Sequence, residues 1–240
     1  MFNGYLKLGD QRVEVWYVEA EHEYAQDAFD VLQAGLPRMT DYFRPATPLP
    51  KITAVLVPNR DEFDRLVRDL LRIEIEIPSH PARIAQPQRT DMVALSPSAY
   101  AEHSTYDYVP EAFRRLLVHE MVHMMEEYLT PDMETTPRWW SEGLAVYLSG
   151  QSRYEEGFRG PAMEGVLSGA IPGFAEIDTE VRLAYDWGWT IVRFLEAEHG
   201  QEMILRIVNE CADGDIFGFL GVDPSVLEQR WRRWLLDGDY

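Results

Sequence analysis

The protein has 240 residues, of which 46% are hydrophobic and 26% are charged, so the chain can bury a substantial core and is not intrinsically disordered. Its 22 basic and 41 acidic side chains give a formal net charge of −19, which disfavours nucleic acids and anionic membranes as partners. The single cysteine, Cys211, excludes an internal disulfide.

The amino-terminal half alternates between strand-like and helix-like patterns. Short apolar or alternating runs indicate strands, whereas apolar residues at helical spacing indicate amphipathic helices. The segment 73–87 contains several prolines and has no clear period, so no element is predicted there. In chain order the patterns predict a strand at 13–18, a helix at 23–43, a strand at 52–57, a helix at 61–71 and a strand at 92–95.

The carboxyl-terminal half reads as helical throughout. Pro110 and Pro137 each stand where proline is favoured, at the first turn of a helix. Strands followed by helices predict an α+β fold, organised as one catalytic domain of residues 1–240 with an α/β lobe at about 1–128 and a helical lobe at about 129–240. The predicted helices span 110–128, 137–148, 184–198, 201–211 and 223–236.

The amino terminus has neither a basic start nor an apolar core of the kind that signal peptides carry. The longest apolar runs are far shorter than the roughly 20 residues that span a bilayer. We therefore expect a cytoplasmic protein that associates with neither membranes nor nucleic acids.

The sequence His119-Glu120-Met121-Val122-His123 forms a HExxH motif in the predicted helix 110–128. Spacing i, i+4 places both imidazoles on one helix face, where both can bind one zinc ion. Glu120 lies about 100° further round the helix, so it is less suited to be a ligand than to be a general base for a zinc-bound water. The motif predicts a zinc site with His119 and His123 as ligands.

A catalytic zinc site needs a third protein ligand, and Glu142 is the candidate. This carboxylate lies on an otherwise apolar and aromatic helix, where an unpaired charge would cost several kcal/mol. Residues 124–141 provide enough chain to finish one helix, turn at 130–132 and bring an antiparallel helix back to the histidines. Gly143 would let the two helices approach closely.

These residues resemble the gluzincin branch of the zinc metallopeptidases, in the peptidase MA clan, and within it the aminopeptidase N family. That family carries HExxH, eighteen residues, and then a glutamate in a Trp-x-x-Glu-Gly-x-x-x-Tyr segment, which residues 139–147 reproduce. A further segment, Tyr185-Asp186-Trp187-Gly188, is similar to the family's Tyr-x-x-Gly helix, which implies that Tyr185 donates a hydrogen bond to the oxyanion. The resemblance implies a zincin-like fold, one zinc ion, a peptide or protein substrate, and a small amino-terminal sheet beside the active-site helix.

One departure from that family limits the activity that the resemblance implies. Aminopeptidases hold the amino terminus of the substrate with a Gly-x-Met-Glu-Asn strand upstream of HExxH, whereas this chain has Asp-Met-Val-Ala-Leu-Ser at 91–96. A similar string, Gly-Pro-Ala-Met-Glu-Gly at 160–165, lies downstream of both ligand helices and is interpreted as a helix start. We therefore expect an endopeptidase more than an aminopeptidase.

Three hypotheses follow from the sequence. The leading hypothesis is a zinc metallopeptidase with Glu120 as general base and Tyr185 as oxyanion donor, in which strand 92–95 pairs with an extended substrate. The alternatives are a zinc-binding amidohydrolase for a non-peptide substrate, or a catalytically silent binding module on the same fold, and a helical interaction domain whose motif is accidental. The acidic pair Glu126-Glu127 is predicted to be a solvated helix face, with attraction of a basic substrate as the alternative.

Overall fold

The structure, a computed structural model, describes residues 2, 4–130, 136–211 and 213–238. It divides into two compact units, Met1–Tyr128 and Leu129–Tyr240. Most of the turn predicted at 130–132 lies outside the described residues. None of the helices in the described part of the chain is long and apolar enough to cross a membrane.

The first unit contains a five-stranded mixed sheet in the order β1-β2-β3-β5-β4. The three central strands run parallel to one another, and the two outer strands pair antiparallel with their neighbours. Burial follows the predicted pattern, because the apolar residues of β3 and β5 are almost completely inaccessible. The strands are β1 (Leu6–Gly9), β2 (Val13–Tyr17), β3 (Ile52–Val57), β4 (Ala85–Gln88) and β5 (Asp91–Leu95).

Strands β1 and β4 were not predicted from the sequence. The presence of β4 shows that the prediction of 92–95 as the substrate-binding strand is wrong. Strand β5 lies inside the sheet, with β3 on one side and β4 on the other, so it has no edge for an extended peptide. Strand β4 was missed because Ala-Gln-Pro-Gln has no apolar alternation. Its Pro87 is tolerated because β4 is an edge strand.

Four helices accompany this sheet. The long helix α4 is about half buried, and its central turns carry the HExxH motif. Helix α2 begins with an Asn59 cap, whose side chain accepts a hydrogen bond from the backbone N–H of Glu62. The helices of the first unit are α1 (His22–Phe43), α2 (Arg60–Asp69), α3 (Tyr100–His103) and α4 (Pro110–Leu129).

The described residues of the second unit form helices and loops. Helices α5 and α9 cross at Gly143 and Gly188, and an aromatic cluster that includes Trp139, Phe174 and Trp231 fills the interior. The helices are α5 (Arg138–Ser149), α6 (Gln151–Tyr154), α7 (Glu156–Ser168), α8 (Phe174–Thr179), α9 (Val181–His199), α10 (Gln201–Glu210), α11 (Ile216–Leu220) and α12 (Pro224–Asp237).

Helix α7 corrects the interpretation of the segment 160–165 as a helix start. Pro161 lies in the interior of α7, which begins earlier, at Glu156. Proline cannot donate a hydrogen bond to the carbonyl four residues before it, which is that of Gly157. The Arg182 guanidinium donates to that carbonyl. The α+β class is confirmed, since the sheet belongs to the amino-terminal half and the carboxyl-terminal half is helical.

Candidate metal centre

The two histidines of the HExxH motif meet on one face of α4. One helical turn separates them, and their Nε2 atoms lie 3.0 Å apart. His119 is only 3% exposed, whereas the side chain of His123 is 18% exposed. Two imidazole nitrogens at this separation can both bind one zinc ion at about 2.0–2.1 Å.

Glu120 is buried beside these ligands, with 6% of its surface exposed. A carboxylate with so little exposed surface is shielded from solvent and is not a solvated helix charge. Tyr100, to which the sequence analysis assigned no role, lies within electrostatic range of Glu120. Burial, the Tyr108 phenol and the negative charge of Glu120 each raise the pKa of Tyr100.

Glu126 does not lie on a solvated face, contrary to the sequence prediction. It is only 2% exposed, and its Oε2 lies 3.4 Å from Nδ1 of His123, three residues earlier on α4. The helical period could have indicated this contact, because residues at i and i+3 are neighbours on a helix surface. A buried carboxylate, that of Glu126, therefore lies about one helical turn after the last residue of the HExxH motif.

Glu127 also has a structural role that the sequence analysis missed. Its carboxylate accepts hydrogen bonds from the Gln88 side chain at 2.6 Å and from the backbone N–H of Arg89 at 2.5 Å. Gln88 ends β4, and Arg89 begins the turn to β5. Glu127 therefore ties the edge of the sheet to the helix that carries the two histidines.

Glu142 lies in the second turn of α5, next to Gly143, and is partly buried. Pro137 directly precedes the helix, where a proline does not disrupt the helical hydrogen bonds. Trp139 and Trp140, on the first turn, are buried. The helix is therefore held firmly by packing at the point where Glu142 projects from it.

The candidate ligand atoms of His119, His123 and Glu142 all lie within 4.8 Å of one another. Two imidazoles and one carboxylate form the donor set of catalytic zinc sites that keep a fourth position open for water or substrate. The residues present therefore fit a zinc ion. Tetrahedral structural zinc sites use four protein ligands instead, commonly including cysteine thiolates.

Tyr185 lies in the second turn of α9, one turn before Gly188. Its aromatic neighbours on the same helix, Trp187, Trp189 and Phe194, are each 3% exposed. Tyr185 is less buried than these three, and its ring lies 6.2 Å from that of Phe158. Tyr185 is thus the least buried of these four aromatic side chains of α9.

Comparison with known proteins gives one family. A family profile described as the peptidase MA superfamily matches residues 107–237, which is more than half of the chain and includes both ligand helices and α9. A search of curated proteins finds no match. The finer resemblance to the aminopeptidase N family stays a prediction.

Proposed function

Because the chain belongs to the peptidase MA superfamily, we propose that it is a zinc-dependent metallopeptidase that cleaves within peptide chains. The observation that carries this proposal is the group formed by His119, His123 and Glu142, whose ligand atoms lie within 4.8 Å of one another. A catalytic zinc site needs three protein ligands. These three residues come from two helices, α4 and α5, within residues 107–237 that the family profile matches.

When bound, zinc supplies a Lewis acid and a water that is activated at neutral pH. The proton of the attacking water is taken up by the carboxylate of Glu120, which then delivers it to the leaving nitrogen. Burial of Glu120 keeps bulk water from competing for this proton. Tyr185 donates a hydrogen bond to the carbonyl oxygen as negative charge develops on it.

Endopeptidase activity is proposed because neither β4 nor β5 carries a glutamate that could hold a substrate amine. Strand β4 is Ala-Gln-Pro-Gln, and β5 carries no acidic residue beyond Asp91 at its start. Strand β4, and not β5, has an outer edge in the sheet. Of the two outer strands, β1 and β4, it is β4 whose following turn Glu127 anchors to α4, so we expect an extended peptide that adds to this sheet near the histidines to pair with β4.

The proposal is tested with protein purified without added zinc, analysed for metal and incubated with a peptide library in two forms. One form has free amino termini and the other has acetylated amino termini. We expect one zinc ion per chain, cleavage of both forms, and at least about a 10²-fold loss of hydrolysis in Glu120→Gln with the zinc retained. Cleavage restricted to free amino termini would contradict the endopeptidase assignment.

A metal-binding protein that does not hydrolyse peptides is the main competing outcome. If wild-type protein carries zinc but leaves the whole library intact, the peptidase proposal is wrong and a binding or non-peptide hydrolase function replaces it. If the wild type carries no zinc and none can be loaded, the metal site itself is wrong.

A further inference from the structure

The imidazole of His123 presents its two nitrogens to two different groups. Nε2 lies 3.0 Å from Nε2 of His119, whereas Nδ1 lies 3.4 Å from Oε2 of Glu126. We propose that Glu126 is a positioning residue of the metal centre, which accepts a hydrogen bond from Nδ1–H of His123 and thereby leaves Nε2 free to bind the ion. This proposal rests on the zinc site proposed above.

The tautomer of the histidine explains why such an acceptor matters. A neutral imidazole carries one proton, and the nitrogen that binds a metal must be the unprotonated one. Since the Nε2 atoms of the two histidines converge, His123 must carry its proton on Nδ1 to act as a ligand. A carboxylate opposite Nδ1 stabilises this tautomer, orients the ring and makes Nε2 a stronger ligand.

The burial of Glu126 supports this role over solvation. Its side chain is 2% exposed, and transfer of a carboxylate out of water is costly unless hydrogen bonds or charges compensate. Glu127, the next residue, carries the same charge on the same helix, but its carboxylate contacts the turn between β4 and β5. The two glutamates therefore differ in their partners and not in their chemistry, which makes Glu127 a matched control.

The contact between Nδ1 of His123 and Oε2 of Glu126 is a long one. The 3.4 Å distance is longer than the about 2.7–3.2 Å of a typical N–H···O hydrogen bond. The test therefore measures both the position of the proton on His123 and the effect of the carboxylate on zinc affinity.

The first experiment compares the zinc affinity of wild type, Glu126→Ala, Glu126→Gln and Glu127→Ala by competition with a chromogenic chelator. We expect a loss of about 10–100-fold in Glu126→Ala, the range typical of partners that orient metal ligands. Glu126→Gln should lose less, because its amide oxygen still accepts a hydrogen bond from Nδ1–H. Glu127→Ala should stay within about two-fold of wild type, since its carboxylate does not face a ligand.

Equal zinc affinity in wild type and Glu126→Ala, or an equal loss in Glu127→Ala, overturns the inference while the wild-type zinc site stands. Absence of zinc binding in the wild type overturns the proposed function as well, so the two failures are distinguishable. Nitrogen NMR of the zinc-free wild type provides a reading that does not depend on the folding of any variant, because zinc bound at Nε2 would by itself place the proton on Nδ1. A protonated Nδ1 on His123 supports the inference, and an unprotonated Nδ1 overturns it.

Discussion

Gly143 on α5 and Gly188 on α9 meet backbone to backbone. A Cβ atom on Gly143 would lie 2.4 Å from the carbonyl carbon of Gly188, and one on Gly188 would lie 2.3 Å from the carbonyl oxygen of Trp139. Glu142 precedes the first glycine, and Tyr185 lies one turn before the second. The close crossing therefore fixes the third candidate ligand and the candidate oxyanion donor on one pair of helices.

Substitution of either glycine should separate these helices. We expect Gly143→Ala and Gly188→Ala each to lower the free energy of unfolding by about 1–3 kcal/mol, the usual cost of overpacking, because the clashing atoms are backbone and cannot rotate away. Thermal denaturation measures the effect. Gly157→Ala on α7 is the control, since a Cβ there meets nothing within 4 Å, and its Tm should stay the same or rise. Unchanged stability in both crossing variants would contradict the close approach.

Removal of Glu142 tests the third ligand. Glu142→Ala should weaken zinc binding by more than the about 10–100-fold expected for a residue that only orients a ligand, and it should lower the Tm of the zinc-loaded protein. Metal analysis after dialysis against a chelator checks this, with His123→Ala as the positive control and the exposed Glu164→Ala as the control for loss of charge. Full retention of zinc in Glu142→Ala would exclude it as a ligand.

Tyr185→Phe tests the oxyanion donor by deleting one hydroxyl. If Tyr185 donates mainly in the transition state, kcat should fall by about 10²–10³-fold, with KM, zinc content and Tm nearly unchanged. Steady-state kinetics on one cleaved peptide measures this, and Tyr154→Phe, at a side chain that is 63% exposed, is the control. Full activity in Tyr185→Phe, or a loss of stability that explains the lost activity, would return this residue to a packing role.

Tyr147 on α5 provides a prediction at alkaline pH. Burial, its 2.5 Å hydrogen bond to Glu196 and the charge of that carboxylate raise the pKa of Tyr147 to about 12. In the unfolded chain the phenol loses its proton near pH 10, whereas in the folded state it keeps the proton up to about pH 12. The folded state therefore binds more protons in this window, and the stabilisation from Tyr147 decreases as the pH rises from 10 to 12.

Comparison of wild type with Tyr147→Phe isolates this contribution from those of the other tyrosines. The difference in Tm between the two proteins should be largest below pH 10 and should shrink as the pH approaches 12. A difference that does not change with pH would show that the hydroxyl of Tyr147 is not linked to folding through its proton.

The α+β class, most of the long elements and the candidate site residues could be predicted from the sequence. These features depend on local patterns: the helical period across 110–128 places two histidines on one face, and the apolar run at 52–57 can only be buried. Predicted and observed bounds agree closely, for example in Ile52–Val57 and in Pro110–Leu129. Local patterning is sufficient where one periodic face is buried.

The order of the strands and the environment of the acidic residues could not be predicted, because both depend on how the elements pack. Strand β4 has no apolar alternation, so its sequence does not indicate a strand, and it forms one by pairing with β5. The same pairing places β5 inside the sheet, where it has no free edge. Glu126 and Glu127 are adjacent residues of the same type. The side chain of Glu126 is buried next to His123, whereas that of Glu127 accepts hydrogen bonds from Gln88 and Arg89. The contact of Glu126 with His123 follows the helical period, whereas the hydrogen bonds of Glu127 come from packing between segments distant in the chain, which neither composition nor period indicates.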